Sequence, residues 1–143
     1  MKRSMAAGPR VLIDLNVITD VLQRREPHFA ASVQVLALAE THRIEAFVAA
    51  HSLTTLFYLI AKDLSAAKAR IILSELLRFL AVAAIDQDAV EEALKLPYPD
   101  FEDALQMVAA TEVGAEYLIT RDAAGYKAGP LRALQPAELL ALL

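Results

Sequence analysis

The stretch Val11–Leu22, VLIDLNVITDVL, changes its hydrophobic period part-way along. Val11, Leu12 and Ile13 form a short apolar run that suits a strand buried on both faces. Beyond Asn16 the apolar residues recur at helical spacing. Asp14 sits at the switch between the two patterns. A strand feeding straight into a helix is the first half of a βαβ unit, and an open parallel sheet forms its ligand sites outside the carboxyl ends of its strands. A carboxylate at that position therefore points to function as well as to a helix cap.

The rest of the chain repeats the alternation. Strands are expected at Arg10–Ile13, Glu45–Ala49, Leu80–Ile85 and Glu116–Thr120, with an edge strand at Leu131–Leu134. Helices are expected after the first strand, around Phe29–Thr41, from His51 and Ser52 with Ser52 as the cap, from Ser65 to about Arg78, from Asp86 to the Pro97/Pro99 pair, from Asp100 to about Glu112 with Gly114 as its stop, and from Pro136 onward. No repeat, low-complexity tract or linker divides the chain. The reading is a single α/β domain over residues 1–143, a three-layer α/β/α sandwich on a mostly parallel sheet, with residues 1–9 as a flexible N-terminal extension.

Composition narrows the classes. The chain has 143 residues, 57% of them hydrophobic, and helical covers on a buried sheet absorb that fraction. No uncharged apolar run approaches the ~18–20 residues that a membrane-spanning helix needs, and Asp14, Asn16 and Asp20 interrupt any signal-peptide core. The absence of cysteine excludes disulfides and thiolate metal sites and fits a reducing cytoplasm. A formal charge of −4 argues against binding nucleic acid through the overall field, so such a role needs a local basic patch or a metal.

The acids supply the second route. Asp14 follows the strand VLI, and Asp122 follows the strand YLI by way of Thr120 and Arg121. Both belong at the same rim of the sheet. Asp100, Glu102 and Asp103 open a helix, where Asp100 and Asp103 share a face. Taken singly, DFED is a helix start and Asp122 a turn residue. Taken together, acids from three separated segments repel one another unless a cation relieves them, and an all-oxygen set suits Mg²⁺ or Mn²⁺. Such a site can hydrolyse a phosphodiester.

These segments resemble the PIN-domain ribonucleases, the fold of VapC-type toxins. The resemblance rests on VLIDLNVITDVL, AAHSLTTLFYLI and DFEDALQMVAATEVGAEYLITRD, and runs over almost the whole chain from about Arg10. It implies Mg²⁺- or Mn²⁺-dependent RNA cleavage, with Asp14, Asp103 and Asp122 as catalytic and metal-holding acids and Asn16 supporting Asp14. Asp100 and Glu102 are further candidate ligands, and Ser52, Thr120 and Arg121 candidate supporting or substrate-contacting residues. Several positions depart from the family pattern. Leu15 replaces a Thr, and Asp122 stands in an Asn place. Gly125 and Tyr126 stand where Asp-Phe is common, and the helix Glu of many PIN nucleases falls, counting from Ser52, at Tyr58. His28, His42 and His51 lack metal-ligand spacing and are read as structural or surface residues; Leu56, Phe57 and Tyr58 are read as core. Arg24, Arg25 and Lys127 are rim charges.

Two functions follow. The first is an endoribonuclease toxin, inhibited by a small antitoxin that lays an apolar helix between the early helices. The second is a catalytically degenerate PIN-fold binding or scaffold module, favoured by the missing Glu. A phosphoacceptor role for Asp14 fits the fold class but lacks paired acids before Asp14 and a partner Lys. A homodimer is compatible with the leucine and alanine surplus on several helices.

Overall fold

The computed structural model describes residues 8–126 and 129–143. Five strands, β1 (Arg10–Ile13), β2 (Glu45–Ala49), β3 (Leu80–Ala83), β4 (Tyr117–Ile119) and β5 (Arg132–Leu134), form one sheet in the order β3-β2-β1-β4-β5, and every pairing is parallel. Seven helices connect and cover it: α1 (Leu15–Leu22), α2 (Phe29–Glu40), α3 (Ala50–Asp63), α4 (Ala66–Leu76), α5 (Gln87–Ala93), α6 (Phe101–Glu112) and α7 (Pro136–Leu142). The three-layer parallel sandwich read from the sequence is the fold. None of these helices is long and apolar enough to cross a membrane.

The central strand β1 shows how the layers arise. Val11, Leu12 and Ile13 are all fully buried. Val11 and Ile13 face one core, with Val17 and Ile18 of α1, Val35 of α2, Leu56 of α3 and Leu139 of α7. Leu12 faces the opposite one, with Met107 and Ala109 of α6. Alternate side chains of a strand point to opposite faces, so a strand that is apolar at every position needs a helical layer on each side. Full burial of each such side chain contributes about 1.5–3 kcal/mol, which makes the three-residue run a major part of the core.

This alternation also aims the functional residues. Asp14 lies two positions beyond Leu12, and Thr120 two beyond Leu118, which shares the α6-side core. Ile13 pairs with Ile119, so Asp14 and Thr120 follow as the next neighbours across the two strands, and Asp14 N–H donates to the Ile119 carbonyl at 2.9 Å. Both side chains therefore continue the face that looks toward α6.

Some boundaries differ from the sequence reading. Ser52 is not the cap of α3: the helix begins earlier, with Ala49 in the cap position and no side-chain cap bond, and Ser52 is buried inside the first turn. β3 ends at Ala83 and not at Ile85 because its pairing with β2 stops there. Ser65, Asp86 and Asp100 do cap α4, α5 and α6 through their side chains. Residues 1–7 of the expected N-terminal extension, and Lys127, lie outside the described residues; Pro9 is already joined to the sheet, its carbonyl accepting from Glu45 N–H.

Gly114 ends α6 as expected. Its φ of +74° is left-handed, its N–H bonds the Thr111 carbonyl and the Ala115 N–H bonds the Ala110 carbonyl. Those two bonds close a Schellman turn, which delivers the chain into β4 and so sets the height of Thr120. Gly114→Ala should lower stability by about 1 kcal/mol, read as a lower urea midpoint at unchanged slope; an unchanged midpoint would show that the turn tolerates a side chain.

An acidic crevice at the strand ends

Asp14 is the N-cap of α1, and its carboxylate is held from two directions. Oδ1 accepts from Asn16 N–H at 3.2 Å. Oδ2 accepts from the Thr120 hydroxyl at 2.9 Å and from Asn16 Nδ2 at 3.3 Å. Asn16 Nδ2 also donates to Thr120 Oγ1, and Asn16 Oδ1 accepts from Arg121 N–H. Thr120 Oγ1 accepts in addition from Asp122 N–H. The ends of β1 and β4 are thus laced together by three polar side chains, those of Asp14, Asn16 and Thr120.

Across the crevice stands the first turn of α6. Asp100 caps the helix by accepting from Asp103 N–H at 3.1 Å. Asp103 Oδ1 accepts from the Tyr126 hydroxyl at 2.9 Å, and that hydroxyl accepts from Gln106 Nε2 at 2.9 Å. A small cavity of about 50 Å³ lies between these groups, lined by Asp14, Leu15, His51, Ser52, Thr55, Glu102, Asp103 and Gln106. Ser52 and Glu102 line it as candidates. Asp100 serves the helix cap, and Asp122 is exposed on the following loop.

The charges interact. Burial raises the Asp14 carboxyl above its ordinary value; the Thr120, Asn16 and Gln106 side of the site opposes the rise and the charge of Asp122 adds to it. Burial likewise raises Asp103, Tyr126 opposes it, and the charges of Asp100, Asp14 and Asp122 push it further. Burial first, then the Asp14 and Asp103 charges, hold the Tyr126 phenol far above its usual range, so it remains a donor. Among the described residues no three carboxylate or imidazole groups close round one point as a ready-made metal centre. Asp14 Oδ2 is hydrogen-bonded to Thr120, and Asp103 Oδ1 to Tyr126.

Several site residues escaped the sequence reading. Tyr58, taken as both core and the place of the absent Glu, is 62% exposed and does not line the cavity. Thr55 faces the acids instead, one helical turn after His51. His51, read as structural, lines the cavity and bonds the Glu102 carbonyl through Nε2 at 3.1 Å. Gln106 was legible in principle, since it lies three residues after Asp103 on the same helix face. Tyr126 carried no spacing signal. Arg121 turns inward: its Nε lies 3.3 Å from Oδ2 of Asp20, which is fully buried, although neither Asp20 oxygen has an aligned hydrogen bond. This ion pair joins the Thr120–Asp122 segment to α1.

A family model of the PIN domain matches residues 10–124. The chain belongs to the PIN-domain family. No curated protein shows significant sequence similarity to it. Among solved structures, a toxin–antitoxin complex from Klebsiella pneumoniae contains a chain 21% identical, with a TM-score of 0.66 over 88% of this chain and 97% of that one. FitAcB from Neisseria gonorrhoeae matches at 17% identity and a TM-score of 0.69, over 89% and 98%. VapC20 from Mycobacterium tuberculosis, described as a Sarcin-Ricin loop cleaving toxin, matches at 14% identity and 0.62, over 85% and 98%. The architecture of this PIN domain is that of the VapC-type proteins.

Two outcomes follow from the charges. A carboxyl whose folded-state pKa is raised keeps its proton to higher pH folded than unfolded, so its ionisation weakens the fold as pH rises above the ordinary 3.8. Asp103→Asn retains an acceptor for Tyr126 and removes the charge. It should match the wild type near pH 3 and exceed it in melting temperature near pH 7; equal melting at both would show that repulsion at Asp103 is negligible. Arg121→Met strands the buried Asp20 carboxylate and should cost about 3 kcal/mol in urea unfolding, most of it recovered in the double variant Asp20→Asn/Arg121→Met.

Proposed function

We propose that the protein is a metal-dependent endoribonuclease, the toxin of a toxin–antitoxin pair acting in the cytoplasm. The observation that carries this reading is the Asp14 carboxyl, half-buried at the strand ends while facing the charges of Asp103 and Asp122. Hydrogen bonds offset part of that unfavourable arrangement, and a hard cation would offset the remainder. The donors are all oxygen, which fits Mg²⁺ or Mn²⁺; Asp14, Asp103 and Asp122 would hold it, with Glu102 at the cavity wall. Such a cation supplies charge stabilisation for a phosphodiester and activates water toward it. The chain's own contribution is to fix the carboxylates: Thr120 and Asn16 orient Asp14, and Tyr126 orients Asp103. Water forms the new bond to phosphorus, an ester P–O bond breaks, and the proton given up by the water ends on the departing oxygen.

The antitoxin partner is supported by a groove of about 380 Å³ among α1, α3 and α4, lined on its apolar side by Leu22, Leu59, Ile60, Leu64 and Ile72. Leu22 is 39% and Leu64 55% exposed, a surface suited to the apolar face of an amphipathic helix. The Klebsiella pneumoniae relative, itself part of a toxin–antitoxin complex, favours this partner. A second copy of the chain is the other occupant that the surface would admit. One observation favours the degenerate-module reading: the α3 wall presents Thr55 to the acids and no carboxylate.

The deciding experiment is Mn²⁺-dependent cleavage of a pool of structured and single-stranded RNA by the wild type and by Asp14→Ala purified identically. Cleavage should fall by roughly 100-fold or more in the variant and vanish with chelator. Mn²⁺ should also raise the melting temperature of the wild type and not of Asp14→Ala. No cleavage by the wild type across metals and pH, with the Mn²⁺ stabilisation intact, would favour the binding module.

A further inference from the structure

Two side chains of α1 hold the same residue of the loop that follows β4. Asn16 Oδ1 accepts from the main-chain N–H of Arg121 at 3.3 Å, and Asp20 Oδ2 lies 3.3 Å from Arg121 Nε. Asn16 and Asp20 are four residues apart on the helix, so both side chains leave it on one face. Asp20 is fully buried, and neither of its oxygens has an aligned hydrogen bond, so the charge of Arg121 is what compensates it. A carboxylate taken out of water needs a cation beside it, and that need fixes where the Arg121 side chain lies.

The main chain of the loop is held as well. The Arg121 carbonyl accepts from Gln135 Nε2 at 3.3 Å, at the start of α7. Thr120 N–H donates to the Leu134 carbonyl at 2.9 Å, and Asp122 N–H to Thr120 Oγ1 at 3.1 Å. The direction of the Arg121 N–H is therefore set from both sides, and it decides the orientation of the Asn16 amide. That amide has one acceptor end and one donor end. Arg121 N–H takes the acceptor end, which turns Nδ2 toward Asp14 Oδ2 at 3.3 Å and Thr120 Oγ1 at 3.2 Å. A flipped amide would set its oxygen against the Asp14 carboxylate and its nitrogen against the Arg121 N–H. The contacts thus run unbroken from Asp20 through Arg121 and Asn16 to Asp14.

We propose that Asn16 and Asp20 clamp Arg121 to α1, and that Asp20 is by this route a positioning residue for Asp14. Loss of the pair releases the Arg121 N–H from Asn16, and the amide then no longer directs its donor at Asp14. The kinetic consequence rests on the nuclease reading. Asp20 itself is fully buried and meets no RNA, so any effect it has on cleavage passes through the clamp.

Two measurements on Asp20→Asn, Arg121→Met and the double variant test this. The first is native-state hydrogen exchange at the amide of residue 121, with the Thr120 amide, bonded to β5, as the internal standard. In Asp20→Asn, exchange at 121 should rise about 10-fold relative to Thr120. An unchanged ratio overturns the proposal whether or not the protein cleaves RNA. The second is RNA cleavage in Mn²⁺, where Asp20→Asn should lose about 10- to 100-fold in kcat with KM nearly unchanged. Wild-type kcat in that variant overturns the proposal, as does a loss confined to KM. The double variant separates positioning from folding. It strands no buried charge and regains most of the stability lost in Arg121→Met, yet its kcat should stay at the level of the worse single variant. Recovery of kcat together with stability would make the pair structural alone and overturns the proposal. A raised KM in Arg121→Met beside wild-type kcat in Asp20→Asn would mark Arg121 as a phosphate contact and overturns it too. Should Asp20→Asn not fold by itself, the double variant carries both measurements. A wild type without activity sinks the nuclease reading alone, and the exchange result still decides the clamp.

Discussion

The hydrogen bond from Thr120 to Asp14 connects residues 106 positions apart at the ends of adjacent strands. Its existence depends on the parallel register of β1 and β4, because only a register that pairs Ile13 with Ile119 makes these two side chains neighbours. A slip of one residue would turn Asp14 into the opposite, apolar layer. The same slip would bury a carboxylate among Val17, Ile18 and Leu56. Core packing and site geometry are therefore enforced by one constraint.

The crevice concentrates negative charge where the fold supplies compensation. Asp14 caps α1, His51 and Ser52 lie in the first turn of α3, and Glu102 and Asp103 lie in the first turn of α6. Three helix N-termini thus open around one small cavity. Each presents the positive end of its dipole, an environment that favours carboxylates and, for the same reason, phosphate oxygens. That compensation is incomplete, as the raised Asp14 and Asp103 carboxyls show. On the metal-binding reading proposed above, a cation at this crevice would offset that deficit. This is the expected form of a site in which function and stability compete.

The wall opposite the open side is built differently. Asp20 and Arg121 form an ion pair with one partner fully buried, and Arg121 N–H is bound to Asn16. A buried pair of this kind adds little to stability over apolar packing, but it specifies one arrangement of the loop against α1. Here the arrangement it specifies is the one that keeps Thr120 under Asp14 and Asp122 at the rim. Arg121, whose place between Thr120 and Asp122 suggested a supporting or substrate-contacting role, is thereby paired with Asp20.

The elements and the rim at which the acids meet were legible in the chain itself. Hydrophobic period separates β1 from α1, side-chain caps mark α4, α5 and α6, and a parallel βα order sends Asp14 and Asp122 to the same end of the sheet. These signals are local, or follow from handedness and alternation, and so survive without knowledge of packing. The side-chain partners were not legible. Tyr58 and Thr55 lie on one helix three residues apart, yet only the axial position of α3 against α6 decides which of them reaches the acids. Gln106, His51, Tyr126 and Asp20 acquire their roles from contacts across 20 to 101 positions, set by how helices seat on the sheet and by which polar atoms burial leaves unpaired. Periodicity determines which face of an element is buried; the three-dimensional register decides what each buried polar atom meets there.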